Sequence, residues 1–172
     1  MSSVHLSSLK YLTFLTLTGI LSAQAQNSLS LGYGSKNALQ AAFTTTLNSS
    51  VYHLGISSQI SDATGKEVEN RKANYGQTKT GTGSQYTTVD FGIGHAIKPG
   101  MRVIFTATLG KKDNYTNYSD RRFSEDGYHM IDSTKNIFGA GIILQYDLSK
   151  SFGLGIGVNS IHGGSASAHF NF

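Results

Sequence analysis

Apolar side chains recur at every second position along most of this chain, which is the period of a β-strand with two unlike faces. In the clearest segment, residues 152–159 read FGLGIGVN, so large apolar residues alternate with glycine. The same alternation occurs in eight segments, which span residues 28–34, 39–47, 52–60, 88–97, 102–109, 138–148, 152–159 and 165–172. The pattern therefore predicts eight strands, each with one apolar face and one small or polar face.

The glycine-rich face indicates which side of these strands meets lipid. Gly92, Gly139 and Gly155 have no side chain to fill a soluble core, whereas the opposite face is nearly continuous Leu, Ile, Val and Phe. In a membrane the apolar face turns outward, and closing the sheet pairs every backbone group. An eight-stranded lumen is just wide enough for side chains, which suits small residues. The predicted fold class is all-β: a transmembrane antiparallel up-and-down β-barrel with eight strands and a plugged lumen.

The predicted connections differ in length in a way that is typical of outer-membrane barrels. Three are tight turns with turn-forming residues, at positions 48–50, 98–100 and 149–150. The other four comprise two short connections and two long loops, at 35–37, 162–164, 61–83 and 111–135. Because such barrels keep their short turns in the periplasm, this arrangement predicts that both termini are periplasmic.

The first 25 residues predict a cleaved signal peptide rather than part of the fold. Lys10 precedes an apolar run over residues 11–21, and Ala23-Gln24-Ala25 supplies the small-x-small pattern that a signal peptidase recognises. A membrane-anchoring helix is the alternative, but the run is shorter than the roughly 20 residues needed to cross a bilayer. We therefore expect a signal peptide over residues 1–25 and an outer-membrane barrel domain over residues 26–172.

Composition supports an exported barrel and narrows its chemistry. There is no cysteine, so disulfides and thiolate metal sites are excluded, and export without cysteine fits a Gram-negative envelope. Only 14% of the residues are charged, and the formal net charge is +4. Nucleic acid is not an expected partner of so weakly basic an exported chain, whereas anionic lipid head groups are.

The last strand resembles the terminal signature of Gram-negative outer-membrane barrels, in which apolar or aromatic residues alternate up to a final Phe. Here Phe172, Phe170, Ala168 and Ala166 match it. Residues 138–157 also look like the penultimate hairpin of small barrels related to OmpX, the Ail attachment proteins and the opacity-type porin family. The resemblance implies a bacterial outer-membrane location, and it implies that the barrel-assembly machinery reads Phe170 and Phe172 as a signal. The long protruding strand pairs of that group are not evident, so adhesion by edge strands is not expected.

A set of polar residues falls on the inward phase of the predicted strands. They are His53, Asp90, Arg102, Gln145, Asp147, Asn159 and His169. Charges in a narrow interior must be paired or wet. A structural hydrogen-bond network is one interpretation, and a proton or ion pathway is the other. Arg102 and Asp147 are expected near the periplasmic end, with Asp90 higher in the barrel.

Basic residues in the third predicted loop are candidates for contact with lipopolysaccharide. They are Lys111, Lys112, Arg121 and Arg122. At an outer rim such side chains can bind phosphate through charge-assisted hydrogen bonds. Acidic residues of the same loop balance the patch, so an ordinary solvated loop is the alternative.

Enzymatic activity is not indicated by the sequence. Ser160 and His162 share the predicted outward phase near Ser165, but no acid lies nearby to orient the imidazole, and the Gly-x-Ser-x-Gly elbow is missing. The histidines have no paired metal-ligand spacing, and no cofactor is expected. The sequence thus favours a non-enzymatic surface barrel whose loops contact lipopolysaccharide or an external partner. A passive channel or porin is the first alternative, and a lipid-modifying enzyme is the second.

Overall fold

The computed structural model describes residues 25–68, 77–120 and 124–172, with the backbone alone at 124–126. Nine strands lie in these ranges: β1 (Ala25–Gly34), β2 (Ala38–Leu47), β3 (Ser50–Gln59), β4 (Lys66–Glu67), β5 (Thr78–Lys98), β6 (Met101–Asp120), β7 (Ser124–Asp147), β8 (Phe152–Asn159) and β9 (Gly163–Asn171). No helix in the described residues is long and apolar enough to cross a membrane. The predicted signal peptide, residues 1–25, lies outside the described residues except for Ala25.

Eight of the strands form a closed antiparallel ring, in which each strand pairs with its neighbours along the chain. The order is β1, β2, β3, β5, β6, β7, β8, β9, and β9 pairs with β1 to close it. The closing register aligns Leu29 with Phe170 and Gly34 with Ser165. The prediction of an eight-stranded up-and-down barrel is confirmed. The ninth strand, β4, is two residues long and lies outside the ring.

Tight turns gather at the end of the ring where β1 begins and β9 ends, which we call the turn end. Asn48 adopts a φ of 56° between β2 and β3, and Gly100 adopts a φ of 77° after Pro99, between β5 and β6. Asparagine and glycine tolerate this left-handed conformation, so the local sequence permits these turns. A third connection, 148–151, joins β7 to β8 at the same end.

The ring has an apolar exterior and a polar interior. Phe138 is 75% exposed and Ile93 is 68% exposed on the outer face. Alternate positions point inward and are buried, as Ser30, Thr106 and Gln145 show. A water-soluble protein of this size does not expose so continuous an apolar belt, so the exterior is a lipid-facing surface. The predicted assignment of faces is confirmed.

Three strands continue past the ring at the end opposite the turns. β5 pairs with β3 only as far as Thr87, while its pairing with β6 runs on to Thr78. β7 pairs with β8 from Gly141, but its pairing with β6 extends to Ser124. We call the continued parts, residues 78–86, 111–120 and 124–136, the extension. Nine residues of β5 at about 3.4 Å each project it roughly 30 Å beyond the ring.

The extension corrects two predictions about the connections. Residues 111–120 and 124–135 were expected in a loop but are strand, and so are residues 78–83 of the other expected loop. Long protruding strand pairs are therefore present, contrary to the sequence-based expectation. Residues 61–68, which we call the strap, run from β3 across the extension, and β4 within them pairs in parallel with Tyr128 and His129.

Candidate functional site

A cluster around an ion pair lies inside the ring near the turn end. Arg102 of β6 is 2% exposed and forms a salt bridge and hydrogen bond with Asp147 of β7. His169 Nε2 lies 2.7 Å from the same carboxylate oxygen, and Asn171 Nδ2 donates to it at 3.1 Å. Four side chains from β6, β7 and β9 are thus tied together across the lumen, which a buried charge pair requires.

A second cluster surrounds Asp90 in the middle of the lumen. The Thr108 hydroxyl donates to one carboxylate oxygen, and Ser57 Oγ donates to the other at 3.3 Å. Asn159 Nδ2 extends the cluster by donating to Thr108 Oγ1 at 2.8 Å. Among the described residues, the hydrogen-bond donors to this buried carboxylate are therefore hydroxyl groups and not a cation. His53 is also buried here, with Nδ1 2.9 Å from Thr44 Oγ1.

A third cluster lies inside the ring next to the extension. His162, in the turn between β8 and β9, is 2% exposed, and its Nε2 lies 2.9 Å from Thr88 Oγ1. Its ring stacks on Tyr86 with a centroid distance of 5.8 Å and an interplanar angle of 22°.

These clusters fill the interior of the ring. A cavity between the second and third clusters has a volume of about 40 Å³, which is room for a few water molecules. Glycine permits this tight packing: a Cβ on Gly92 would lie 2.8 Å from Ile104 Cγ2 and 2.9 Å from His53 Cβ. Each polar residue that the sequence placed inside is found in the lumen, distributed between the first two clusters rather than in one network, with Gln145 buried between β6 and β8.

The strap covers one face of the extension through polar contacts. Tyr115 of β6 is 1% exposed and donates its hydroxyl hydrogen to Asp62. Asn117 Nδ2 donates to the Asp62 carbonyl at 3.0 Å and its Oδ1 accepts from Thr64 N at 3.1 Å. Ser61 Oγ donates to Gln85 at 2.8 Å. Tyr115 and Gln85 continue the alternation of the lipid-facing residues, so the strap lies on the face that is continuous with the apolar belt.

Aromatic side chains pack within the extension as well. Tyr115 meets His129 edge-on at a centroid distance of 5.8 Å, and Tyr118 stacks on Tyr128 at 5.5 Å. Gly83 makes room for the first of these, because a Cβ at that position would overlap the Tyr115 ring. The extension is consequently an ordered sheet with its own side-chain packing, and it is able to present a fixed surface.

The four basic candidates do not form one patch in the described residues. Lys111 is exposed and continues the outward alternation above Leu109. Lys112, the next residue, points to the opposite face and lines the mouth of the barrel. Arg121 and Arg122 lie outside the described residues. Adjacent residues of a strand point to opposite faces of the sheet. A strand prediction for this stretch would therefore have placed Lys111 and Lys112 on opposite faces.

The serine and histidine that resembled part of a catalytic site have separate partners. Ser160 Oγ accepts a hydrogen bond from Ala140 N at 3.1 Å. His162 was predicted on the outward phase but is inside the lumen, because the turn after Asn159 breaks the alternation. Ser165 lines the lumenal cavity. In the described parts of the chain, no group of three or more His, Asp or Glu side chains could hold a metal ion.

The terminal phenylalanines lie on the outer surface of the seam between β9 and β1. Phe170 packs against Phe152 at a centroid distance of 5.5 Å, and Phe172 exchanges backbone hydrogen bonds with Asn27 at 2.9 and 3.3 Å. Their exposed rings fit the predicted assembly signal, which the folded barrel does not test.

Some residues of these sites had no signal in the sequence. Thr88 begins the predicted strand 88–97 on its inward phase and Tyr86 lies just before that strand, but nothing there pointed to His162 as their neighbour. Asp62 and Tyr115 are 53 residues apart, and each lay in a predicted loop. Had residues 78–86 and 111–120 been predicted as strands, Tyr115 would have been placed in the sheet next to the segment that carries Asp62.

Comparison with solved structures identifies the class of the fold. A major outer membrane protein from Thermus thermophilus aligns over 86% of this chain and 99% of its own, with 13% identity and a TM-score of 0.51. The N-terminal β-barrel domain of Pseudomonas aeruginosa OprF aligns over 86% and 96%, with 11% identity and a TM-score of 0.49. Neisserial surface protein A aligns over 86% and 90%, with 10% identity and a TM-score of 0.44. No protein-family model and no curated protein matches the chain.

The closed ring, its apolar belt and the fold shared with the Thermus protein define a small bacterial outer-membrane β-barrel. The resemblance stated from the last strand and the penultimate hairpin is confirmed at this level. At these identities the likeness shows the fold alone, so the activity has to be inferred from the sites described above.

Proposed function

We propose that this protein is a non-enzymatic surface barrel that uses its extension to contact lipopolysaccharide or an external partner. The observation that carries the proposal is the extension itself. Three strands continue past the ring and are fixed by the strap through Asp62, Tyr115 and Asn117. Ordering these residues costs conformational entropy that a membrane anchor alone does not require, so a contact surface accounts for it.

The extension faces outward from the cell in this proposal, and both termini lie in the periplasm. Outer-membrane barrels have short periplasmic turns and longer external segments, and the turn end and the extension differ in this way. The periplasmic position also gives the barrel-assembly machinery access to the strand that carries Phe170 and Phe172.

Lys111 is the described residue best placed to bind lipopolysaccharide. It is exposed on the lipid-facing side, two residues past Leu109, where the apolar belt ends. Lipid phosphates occupy that level of an outer leaflet, and a lysine there gains a charge-assisted hydrogen bond. Arg121 and Arg122 remain part of the proposal on their sequence positions alone.

The two alternative functions have less support. A passive channel needs a path through the ring, but three polar clusters occupy the interior and the cavity between them has a volume of about 40 Å³. A lipid-modifying enzyme needs a nucleophile beside its base, whereas Ser160 and His162 engage Ala140 and Thr88. Single-channel recording should accordingly show no steady conductance.

Lipopolysaccharide co-purification at low salt tests the contact. We expect Lys111→Gln to lower the bound lipopolysaccharide a few-fold, because an exposed charge contact contributes about 1 kcal/mol or less. Lys150→Gln is the matched control, since it removes the same charge from the turn end. Replacing Lys111, Lys112, Arg121 and Arg122 together should lower it further, and the effect should shrink at high salt. Equal retention by wild type and the fourfold variant would refute the contact.

A further inference from the structure

The mouth of the barrel, on the inner face next to the extension, is an open cavity of about 460 Å³. Its walls come from four strands and two turns, and they include Lys36, Gln59, Ser84, Tyr86, Lys112 and Ile161. This volume lies in the range of small-molecule sites. Below it, Tyr86 stacked on His162 closes the way into the lumen. The cavity is therefore open above and closed below by these two rings, and we call it the bowl and the two rings its floor.

Lysines set the charge of this bowl. Lys112 pairs directly across the sheet with Lys135, so the two side chains emerge side by side on the inner face. Lys36, in the turn between β1 and β2, reaches over the mouth and donates from Nζ to the Ser160 carbonyl at 3.2 Å. The described lining residues include no carboxylate. Like charges directly opposite one another destabilise a sheet unless a counter-charge lies between them.

The floor of the bowl carries a hydrogen-bonding group without a partner. Tyr86 is 5% exposed, and its hydroxyl is buried with no hydrogen-bond partner among the described residues. Gln59 Oε1, in the wall of the cavity, also lacks a hydrogen-bond partner among the described residues. A buried polar group left without a partner costs free energy that a bound ligand can recover.

We propose that the mouth is a binding site for a soluble phosphate-bearing anion, held by Lys36, Lys112 and Lys135 with the Tyr86 hydroxyl as a donor from below. An anion between Lys112 and Lys135 relieves their repulsion, and a phosphate oxygen supplies the acceptor that the tyrosine lacks. Asn136 and Phe138 of the lining lie on the outer phase of β7, whereas Lys112, Lys135 and Tyr86 lie on the inner phase of their strands, so the phosphate reaches these three from the aqueous side. Neither lipopolysaccharide contact at Lys111 nor conduction through the lumen is required.

Binding is measured by titrating inorganic phosphate into the full barrel in maltoside micelles, with backbone amide shifts at Tyr86 and Lys112 as the readout. We expect Lys112→Gln with Lys135→Gln to weaken binding about tenfold or more, since two charge-assisted hydrogen bonds are lost. The matched control, Lys111→Gln with Lys150→Gln, removes the same net charge from the outer face and the turn end. It should change the affinity less than about twofold, because those exposed charges are screened. Equal weakening in both double variants, or no saturable shift in wild type, would overturn the proposal.

Two single variants separate binding from folding. Lys135→Gln should raise stability slightly in phosphate-free buffer, because a like-charge pair is removed, and yet reduce the stabilisation that added phosphate gives. Tyr86→Phe retains the stack on His162 and should bind phosphate several-fold more weakly without loss of stability. Loss of stability in both buffers for Lys135→Gln would show a structural role and contradict the site.

The source of the phosphate is tested with a second probe. Nanodiscs that contain lipid A present phosphate only from the leaflet, and we expect them to leave the Tyr86 and Lys112 amides unchanged. Shifts at these two amides with lipid A but none with inorganic phosphate would overturn the assignment to a soluble anion.

Discussion

The extension continues three of the eight strands of the ring, yet the two regions are stabilised in different ways. In the ring every strand has two partners, and lipid and lumen sort the side chains into apolar and polar faces. In the extension only β6 has a strand on both sides throughout, and the strap pairs with β7 at Tyr128 and His129. Polar contacts to Asp62 and stacked tyrosines take the place of the apolar belt there.

The two regions consequently differ in which substitutions destabilise them. In the ring, substitutions at buried charges and on the outer face should lower stability most, because water cannot solvate either place without opening the barrel. The extension is in water, so the loss of one contact exposes groups that solvent can satisfy. Substitutions of the same kind should consequently have large effects in the ring and small effects in the extension.

The largest expected effect comes from the lumenal ion pair. Asp147→Asn should lower the free energy of unfolding by about 3 kcal/mol, because it leaves the buried Arg102 guanidinium without its counter-charge. Among the described residues, Nε and Nη1 of Arg102 have no hydrogen-bond partner and Nη2 contacts His169 besides Asp147, so no second carboxylate replaces the lost one. Asp113→Asn in the extension removes a carboxylate that accepts from Thr134 at 2.6 Å in an exposed setting, and should cost less than about 1 kcal/mol. Reversible urea unfolding in phospholipid measures both, and equal losses of stability would contradict the expected difference between ring and extension.

A charge on the outer face should have the next largest effect. Ile142 of β7 is exposed to lipid near the middle of the ring, and Ile142→Arg should cost roughly 2–4 kcal/mol at the bilayer midplane. Thr82→Arg places the same side chain at an exposed position of the extension and should be nearly neutral. The same unfolding assay compares them. A neutral Ile142→Arg would show that this face does not contact hydrocarbon.

The ring could be predicted from the sequence because its environment imposes a period of two. Lipid on one side and a narrow lumen on the other select opposite residue types. The sequence of β8, FGLGIGVN, shows the resulting alternation of large apolar residues with glycine. The same periodicity placed Asp90, Arg102 and His169 inside. It could not show that Arg102 pairs with Asp147 rather than with Asp90, since that depends on the height of each residue in a staggered barrel.

The extension could not be predicted because both of its faces meet polar surroundings. Residues 111–120 read KKDNYTNYSD, so no alternation of apolar and polar residues marks a strand. What holds them in a sheet is pairing with β5 and β7 and contact with the strap, which are distant in sequence. His162 escaped prediction for a related reason, because a turn residue has no strand phase from which its direction can be inferred.

The smallest expected effect concerns the strap, and it should leave the ring unchanged. The Tyr115 hydroxyl lowers the pKa of the Asp62 carboxyl below its ordinary value of 3.8. Since the folded pKa is lowered, the contact contributes its full stability above that value and loses it as the pH falls through the lowered pKa. Tyr115→Phe removes the contact at any pH and should reduce the protection of the Val68 amide, which bonds to the His129 carbonyl at 2.9 Å, several-fold at neutral pH. Hydrogen exchange followed by NMR measures this, with Tyr118→Phe as a control that retains its stacked ring, and amides of β8 should not change. Unaltered protection of Val68 in Tyr115→Phe would show that the backbone pairing of β4 holds the strap without the tyrosine.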